Sequence, residues 1–146
     1  MALDWKFEFV DVVIAFAVAI AALFLYFFFL RVSRPELIGL SFAEIRARWK
    51  EINDLMNIKK EMNWKLAIIE ADKLLDHVLK AFNFQGGTLG DRLKLASYRF
   101  PHLKKVMWAH RVRNQIVHEA NYHLRYGETK YVLKLYKKAL QSLRVL

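Results

Sequence analysis

The sequence predicts an all-α protein: one N-terminal transmembrane helix followed by a small bundle of four to five helices. Three observations carry this. Residues Val12–Leu30, VVIAFAVAIAALFLYFFFL, contain no charge. Beyond them, apolar residues recur at the three- and four-residue spacing of helices. No segment alternates apolar and polar residues as a half-buried strand would. At 146 residues the chain has room for one small domain beside the apolar segment.

The apolar run is nineteen residues long. At about 1.5 Å per residue it covers roughly 28 Å, close to the hydrocarbon thickness of a bilayer. It has no polar face, which argues against a buried core helix. Its flank is acidic (Asp4, Glu8, Asp11) and it ends in FLYFFFL without a small-residue cleavage site, which argues against a signal peptide. Trp5 and Tyr26 suit interfacial aromatics. Lys6 is the one basic residue before the run, whereas Arg31, Arg34, Arg46, Arg48 and Lys50 follow it, opposed by Glu36 and Glu44. The positive-inside rule therefore expects a single-pass protein with its N-terminus outside and its C-terminal domain cytoplasmic. The same basic residues would also lie against anionic lipid. The expected organisation is a short acidic extracytoplasmic N-terminus (1–11), the membrane helix (12–30), a basic juxtamembrane linker and helix (31–62) and a helical domain (63–146).

Lys+Arg number 24 against 14 Asp+Glu, a net charge of +10. Only Lys6, Asp4, Glu8 and Asp11 precede Arg31, so residues 31–146 alone carry +12. Such a balance points to anionic partners: nucleic acid, lipid headgroups or an acidic protein. The absence of cysteine excludes disulfides and thiolate zinc sites, and fits a reducing compartment. His110, His118 and Glu119 do not make a metal set, because the histidines are two turns apart and no His-Glu-x-x-His pattern occurs. Neither a metal nor a cofactor is expected.

The helices follow in order. Pro35 and Gly39 break the chain after the membrane, and Ser41 with Glu44 makes a capping box for a helix over about Phe42–Asn57. Its mixed, charged pattern suits either a stalk or a loosely packed first helix. Trp64, Ala67/Ile68, Ala71, Leu74/Leu75, Val78/Leu79 and Phe82 then form the clearest apolar stripe. Gly86 and Gly87 end it, and Thr88 with Asp91 starts a short helix near Asp91–Ser97. Gly86-Gly87-Thr88-Leu89-Gly90 lacks the Gly-Lys-Ser/Thr ending and a preceding strand, so it reads as a turn and not as a phosphate loop. Pro101 suits the first turn of a helix over about Pro101–Ala120. The last helix, about Glu128–Leu143, carries Val132, Leu135/Tyr136, Ala139/Leu140 and Leu143 on one face.

On a helical wheel, Ala109, Val112, Ile116 and Ala120, flanked by Trp108, Val106 and Val117, form the core stripe of the 101–120 helix. His110, Asn114 and His118 stack in a row on the other side, widened by Arg111 and Gln115, as a solvated face would. Arg113 falls inside the apolar half. An unpaired buried guanidinium costs several kcal/mol, so Arg113 must be paired, snorkelling or lining an interface. Glu70, Asp72 and Asp76 are the carboxylates available for a structural pair; a ligand-binding or catalytic use is the alternative.

RNQIVHE, Arg113–Glu119, resembles the Arg-x4-6-His signature of HEPN domains, with Asn114 directly after the arginine as is usual there. The surroundings are similar too: WKLAIIEADKLLDHVLKAF, a glycine turn, the motif helix and ETKYVLKLYKKALQSL as closing helix, so that the resemblance covers about Asn63–Leu143. It implies a HEPN-like bundle that forms a homodimer through the motif helix, around a shared cleft. Many such domains are metal-independent endoribonucleases of defence, toxin–antitoxin or RNA-processing systems; others are non-catalytic dimerisation or partner-binding modules. Carried onto this chain, the resemblance makes His118 the general acid/base, Arg113 the brace for the phosphate, and Asn114 the residue that orients His118 or donates to the same phosphate. His110, Arg111 and Glu119 are auxiliary substrate-binding residues on this reading. The partners it implies are RNA and an antitoxin or another protein. Two features depart from the pattern: Ala120 stands where some toxins have Tyr, and the membrane anchor is not part of the usual domain.

Overall fold

The computed structural model of the protein describes residues 4–32 and 37–146, with side chains at 10–28 and 37–146. The predicted break at Pro35 lies outside the described residues, as do the side chains of Trp5, Phe29, Leu30, Arg31, Arg34 and Glu36. All regular structure among the described residues is helical, in two compact units, Met1–Pro35 and Glu36–Leu146.

The first unit is helix α1, Asp4–Val32. Its sequence holds no glycine or proline to interrupt it, and alanine, the best helix former, occurs five times from Ala15 to Ala22. The stretch Val10–Phe28 is long and apolar enough to cross a membrane.

The second unit is a five-helix bundle with its own core. Helix α2 spans Phe42–Asn57, and the Ser41 hydroxyl accepts from the Glu44 N–H at 3.1 Å. The expected capping box forms only by half, because the Glu44 carboxylate pairs with Arg48 at 2.9 Å one turn on. Ile45, Trp49 and Ile52 are buried and α2 packs on the next helix, so residues 42–57 belong to the bundle and do not form a stalk. The segment entering α2 is tied down as well: the Ile38 N–H donates to the Ala81 carbonyl at 3.1 Å.

Helix α3, Glu61–Ala81, is the centre, packed against α2 and every later helix. Ile68, Leu74, Leu75, Val78 and Leu79 are sealed from solvent. Each contributes about 1.5–3 kcal/mol relative to exposure. Gly86 makes the turn that follows, at φ +152°, where a Cβ would meet the Asp91 Cβ at 2.8 Å. Helix α4, Leu89–Arg99, starts on a full capping box: Asp91 N–H donates to the Thr88 hydroxyl at 3.2 Å, and Thr88 N–H donates to the Asp91 carboxylate at 3.0 Å. The buried Arg92 reaches back across the turn to Asp76, with Nε at 2.8 Å, and to the Gly86 carbonyl. The glycine turn is thus closed by the chain's own side chains.

The single helix expected over 101–120 divides. Pro101–Lys105 is a 3₁₀ turn and α5 runs Val106–His118. The Leu103 N–H bonds back to the Phe100 carbonyl at 3.0 Å while its side chain enters the core, which tightens this turn. At the other end Glu119 is already extended, so Ala120 lies outside the helix and is exposed. The connection that follows is held by Leu124 N–H donating to Glu61 and Tyr122 Oη donating to Glu128. Helix α6, Tyr126–Ser142, closes the bundle against α3 and α5 with Val132, Leu133, Leu135, Tyr136, Ala139 and Leu140 buried.

Candidate functional site

Three polar residues lie within three apolar stripes. Asp72 is four residues after Ile68 and three before Leu75 on α3; Tyr136 lies between Leu135 and Leu140 on α6; Arg113 is on the inward side of α5. Asp72 and Tyr136 cannot reach water without unpacking their helices, Arg113 sits at the edge of its stripe, and in the fold the three meet. The Asp72 side chain is 5% exposed. Its Oδ1 accepts from Tyr136 Oη and from His110 Nδ1, both at 2.8 Å, and its Oδ2 lies 3.3 Å from Arg113 Nε. The last contact is an ion pair without an aligned hydrogen bond, since the buried Nε–H points at no acceptor.

The network closes on itself through Asn114. Arg113 Nη1 donates to Asn114 Oδ1 at 3.0 Å, and Asn114 Nδ2 faces His110 Nε2 at 3.4 Å. Carboxylate, imidazole, amide and guanidinium form a ring joining α3 and α5, with Tyr136 attached from α6. The amide's orientation fixes the imidazole: with Oδ1 taken by Arg113, Nδ2 donates toward His110, so Nε2 accepts and Nδ1 carries the proton toward Asp72. Burial pushes the Tyr136 hydroxyl well above its ordinary range, and the adjoining Asp72 carboxylate adds to this. Tyr136 is therefore a permanent donor to Asp72.

This ring corrects the wheel. His110 and Asn114 are half-buried and turned toward α3, whereas Trp108 and Val117 are exposed. The inward arc of α5 is Val106, Ala109, Val112 and Ile116 with Arg113 and His110 beside them. Tertiary packing rotated the helix toward Asp72, because the cost of leaving that carboxylate unpaired exceeds the gain from burying Val117. Of the residues implied by the resemblance, the structure brings together Arg113, Asn114 and His110. It does not bring in His118, which is exposed at the last position of α5, nor the exposed Arg111 and Glu119. Asp72 and Tyr136 complete the ring; Tyr136 reads in the sequence as ordinary core, and its hydroxyl is the signal it carried.

The chain matches no family model, no curated protein and no solved structure. The geometry must therefore speak through its own chemistry. A fixed guanidinium beside a fixed amide can hold an anion through the donors that Asp72 and Asn114 leave free. His118, a little over one turn further on, is exposed at the end of α5.

The outer side of the same helix is basic and aromatic. Trp108, Arg111, Asn114 and Gln115 line one groove. His102, Lys105, Tyr131, Lys134, Lys138 and Ser142 line another, with no carboxylate among them. Between the two, Trp108 and Tyr131 meet edge to face at 5.4 Å.

Proposed function

We propose that the chain is a membrane-anchored, HEPN-like protein that acts on RNA from the cytoplasmic side, as a metal-independent endoribonuclease. One observation carries this: Arg113 is held at the inward edge of α5 by a buried carboxylate and bonded to Asn114 at 3.0 Å, while His118 stands free at the end of the same helix. RNA contains its own nucleophile, so such a set suffices for the first step. His118 would take the proton of a ribose 2′-hydroxyl, and the 2′-oxygen would attack the adjacent phosphorus. The P–O5′ bond would break as the 5′-oxygen takes that proton from the protonated His118, giving a cyclic phosphate and a 5′-hydroxyl. Arg113 would brace the charge on the phosphoryl oxygens, and Asn114 would keep its guanidinium in place. On a helix, positions 113 and 118 diverge by about 140°. A second copy of the motif helix, related by a two-fold axis, would bring His118 of one chain to Arg113 of the other. The α1 stretch Val10–Phe28 supplies the anchor on this reading, and the flanking charges supply its orientation.

One feature favours a second reading, a non-catalytic membrane-tethered module for dimerisation or partner binding. The Arg113 charge is already opposed by Asp72, which lowers its pull on phosphate. The two readings separate when residues 36–146 are incubated with mixed RNA in chelator beside Arg113→Ala and His118→Ala. Endonuclease activity is expected, with each substitution lowering it at least 10²-fold. Cleavage that survives both substitutions refutes the assigned roles. Intact RNA with a dimeric fragment establishes the binding module.

A further inference from the structure

We propose that the outer face of α5 and α6 is a track for single-stranded RNA, with Trp108 and Tyr131 as a base-stacking platform between the motif and a lysine groove. This rests on the RNA-directed reading and adds which form of RNA is taken and how it is held. The two grooves adjoin through that aromatic pair. On the motif side the lining includes Asn114, whose amide belongs to the Asp72 ring, with Arg111 and Gln115. On the far side Lys134 and Lys138 stand one turn apart on α6, faced by Lys105 and His102 of the 3₁₀ turn.

Charge and ring chemistry select the ligand. The lysine groove has no carboxylate in its lining, so its ammonium groups have a polyanion as their complement. Trp108 is 37% exposed and Tyr131 54%, so the pair keeps apolar ring surface in water at the middle of a cationic strip. A nucleobase laid on such a ring gains about 1–3 kcal/mol whatever its identity. Bases in a duplex are already stacked on one another, and the deep groove of A-form RNA admits no side chain. The platform therefore takes unpaired bases, and the lysines and Arg111 take the phosphates on either side.

The full chain in zwitterionic nanodiscs, with a labelled 2′-O-methyl RNA of about twelve nucleotides, reads binding without cleavage. The single strand is expected to bind at least tenfold more tightly than the same sequence in duplex. Trp108→Ala and Tyr131→Ala should each weaken it about tenfold, with Trp108→Phe and Tyr131→Phe retaining most of the affinity. Lys134→Gln with Lys138→Gln should lower the salt slope of log K by about 1.4. Both aromatic side chains are on the surface, so unchanged melting curves will show that the variants fold. Equal binding of duplex and single strand, or unaltered binding by the aromatic variants, overturns the track. So does a change of oligomeric state in those variants, which would make the platform a contact between copies. Loss of binding to phosphatidylglycerol vesicles in the lysine variant, with no effect on RNA, assigns the groove to lipid and overturns it too. In each case Arg113- and His118-dependent cleavage of mixed RNA leaves the endonuclease reading standing. RNA neither bound nor cut overturns both.

Discussion

Replacing Asp72 with Ala removes the acceptor on which three side chains converge. Tyr136 is completely buried, so its hydroxyl loses its partner with no water to replace it. An orphaned buried donor of this kind costs about 1–3 kcal/mol. The Arg113 side chain is 26% exposed and can swing partly to solvent, so it recovers some of the penalty of a severed buried ion pair. That leaves about 1–2 kcal/mol of the 3–5 such a rupture costs when water is excluded. His110, 15% exposed, adds about 1 kcal/mol for its Nδ1–H. The expected total is about 3–6 kcal/mol, or a fall in Tm of about 12–24 °C for a domain near one hundred residues. Urea and thermal unfolding of residues 36–146, followed by circular dichroism, measure it. Arg113→Ala and the double variant complete a cycle, for which a coupling of at least about 1 kcal/mol is expected. A cost for Asp72→Ala below about 1 kcal/mol, or simple additivity of the two substitutions, would refute a ring closed on a buried carboxylate.

Other substitutions report on the parts that position this ring. Gly86→Ala forces a Cβ into a φ of +152° and within 2.8 Å of Asp91, and should cost about 1–3 kcal/mol in the same unfolding assay. Thr88→Ala removes one half of the α4 capping box and should cost about 1 kcal/mol. Below pH 4, stability should fall through Asp76. Burial raises this carboxyl, but hydrogen bonds and charge from Lys80 and Arg92 outweigh burial and hold it below its ordinary 3.8. Its contribution is therefore full above that value and lost as pH drops through the folded one, and Asp76→Asn should flatten this acid limb. At the alkaline end burial and the Glu128 carboxylate push the Tyr122 hydroxyl up to about 12. The stability its proton supplies is full below 10.0 and lost as pH rises toward about 12, a limb that Tyr122→Phe should remove.

Local rules were enough for most of the helices. Ser41, the Gly86–Gly87 pair, Thr88 with Asp91 and Pro101 each mark a boundary through a bond or a dihedral that involves neighbours in sequence, so they were legible. The apolar stripe of α3 was legible for the same reason, since five turns of spacing leave one face to bury. Boundaries failed where distant partners decide. The capping box at α2 is only half made because Arg48 competes for Glu44, and the 101–120 helix divides because Leu103 is drawn into the core.

The candidate site shows the same division. Composition alone determined the uncharged nineteen-residue run and the excess of positive charge that follows it, because both are sums over residues and need no fold. Periodicity placed Arg113 inside the apolar half, with Glu70, Asp72 and Asp76 as candidate structural partners beside snorkelling, an interface or a ligand-binding use. Only the tertiary structure chose Asp72, because the choice depends on how α5 is rotated against α3. That rotation also turned the half-buried His110 toward Asp72 and left His118 outside the ring. A wheel weighs side chains by polarity, whereas a packed helix turns to satisfy its most expensive buried charge.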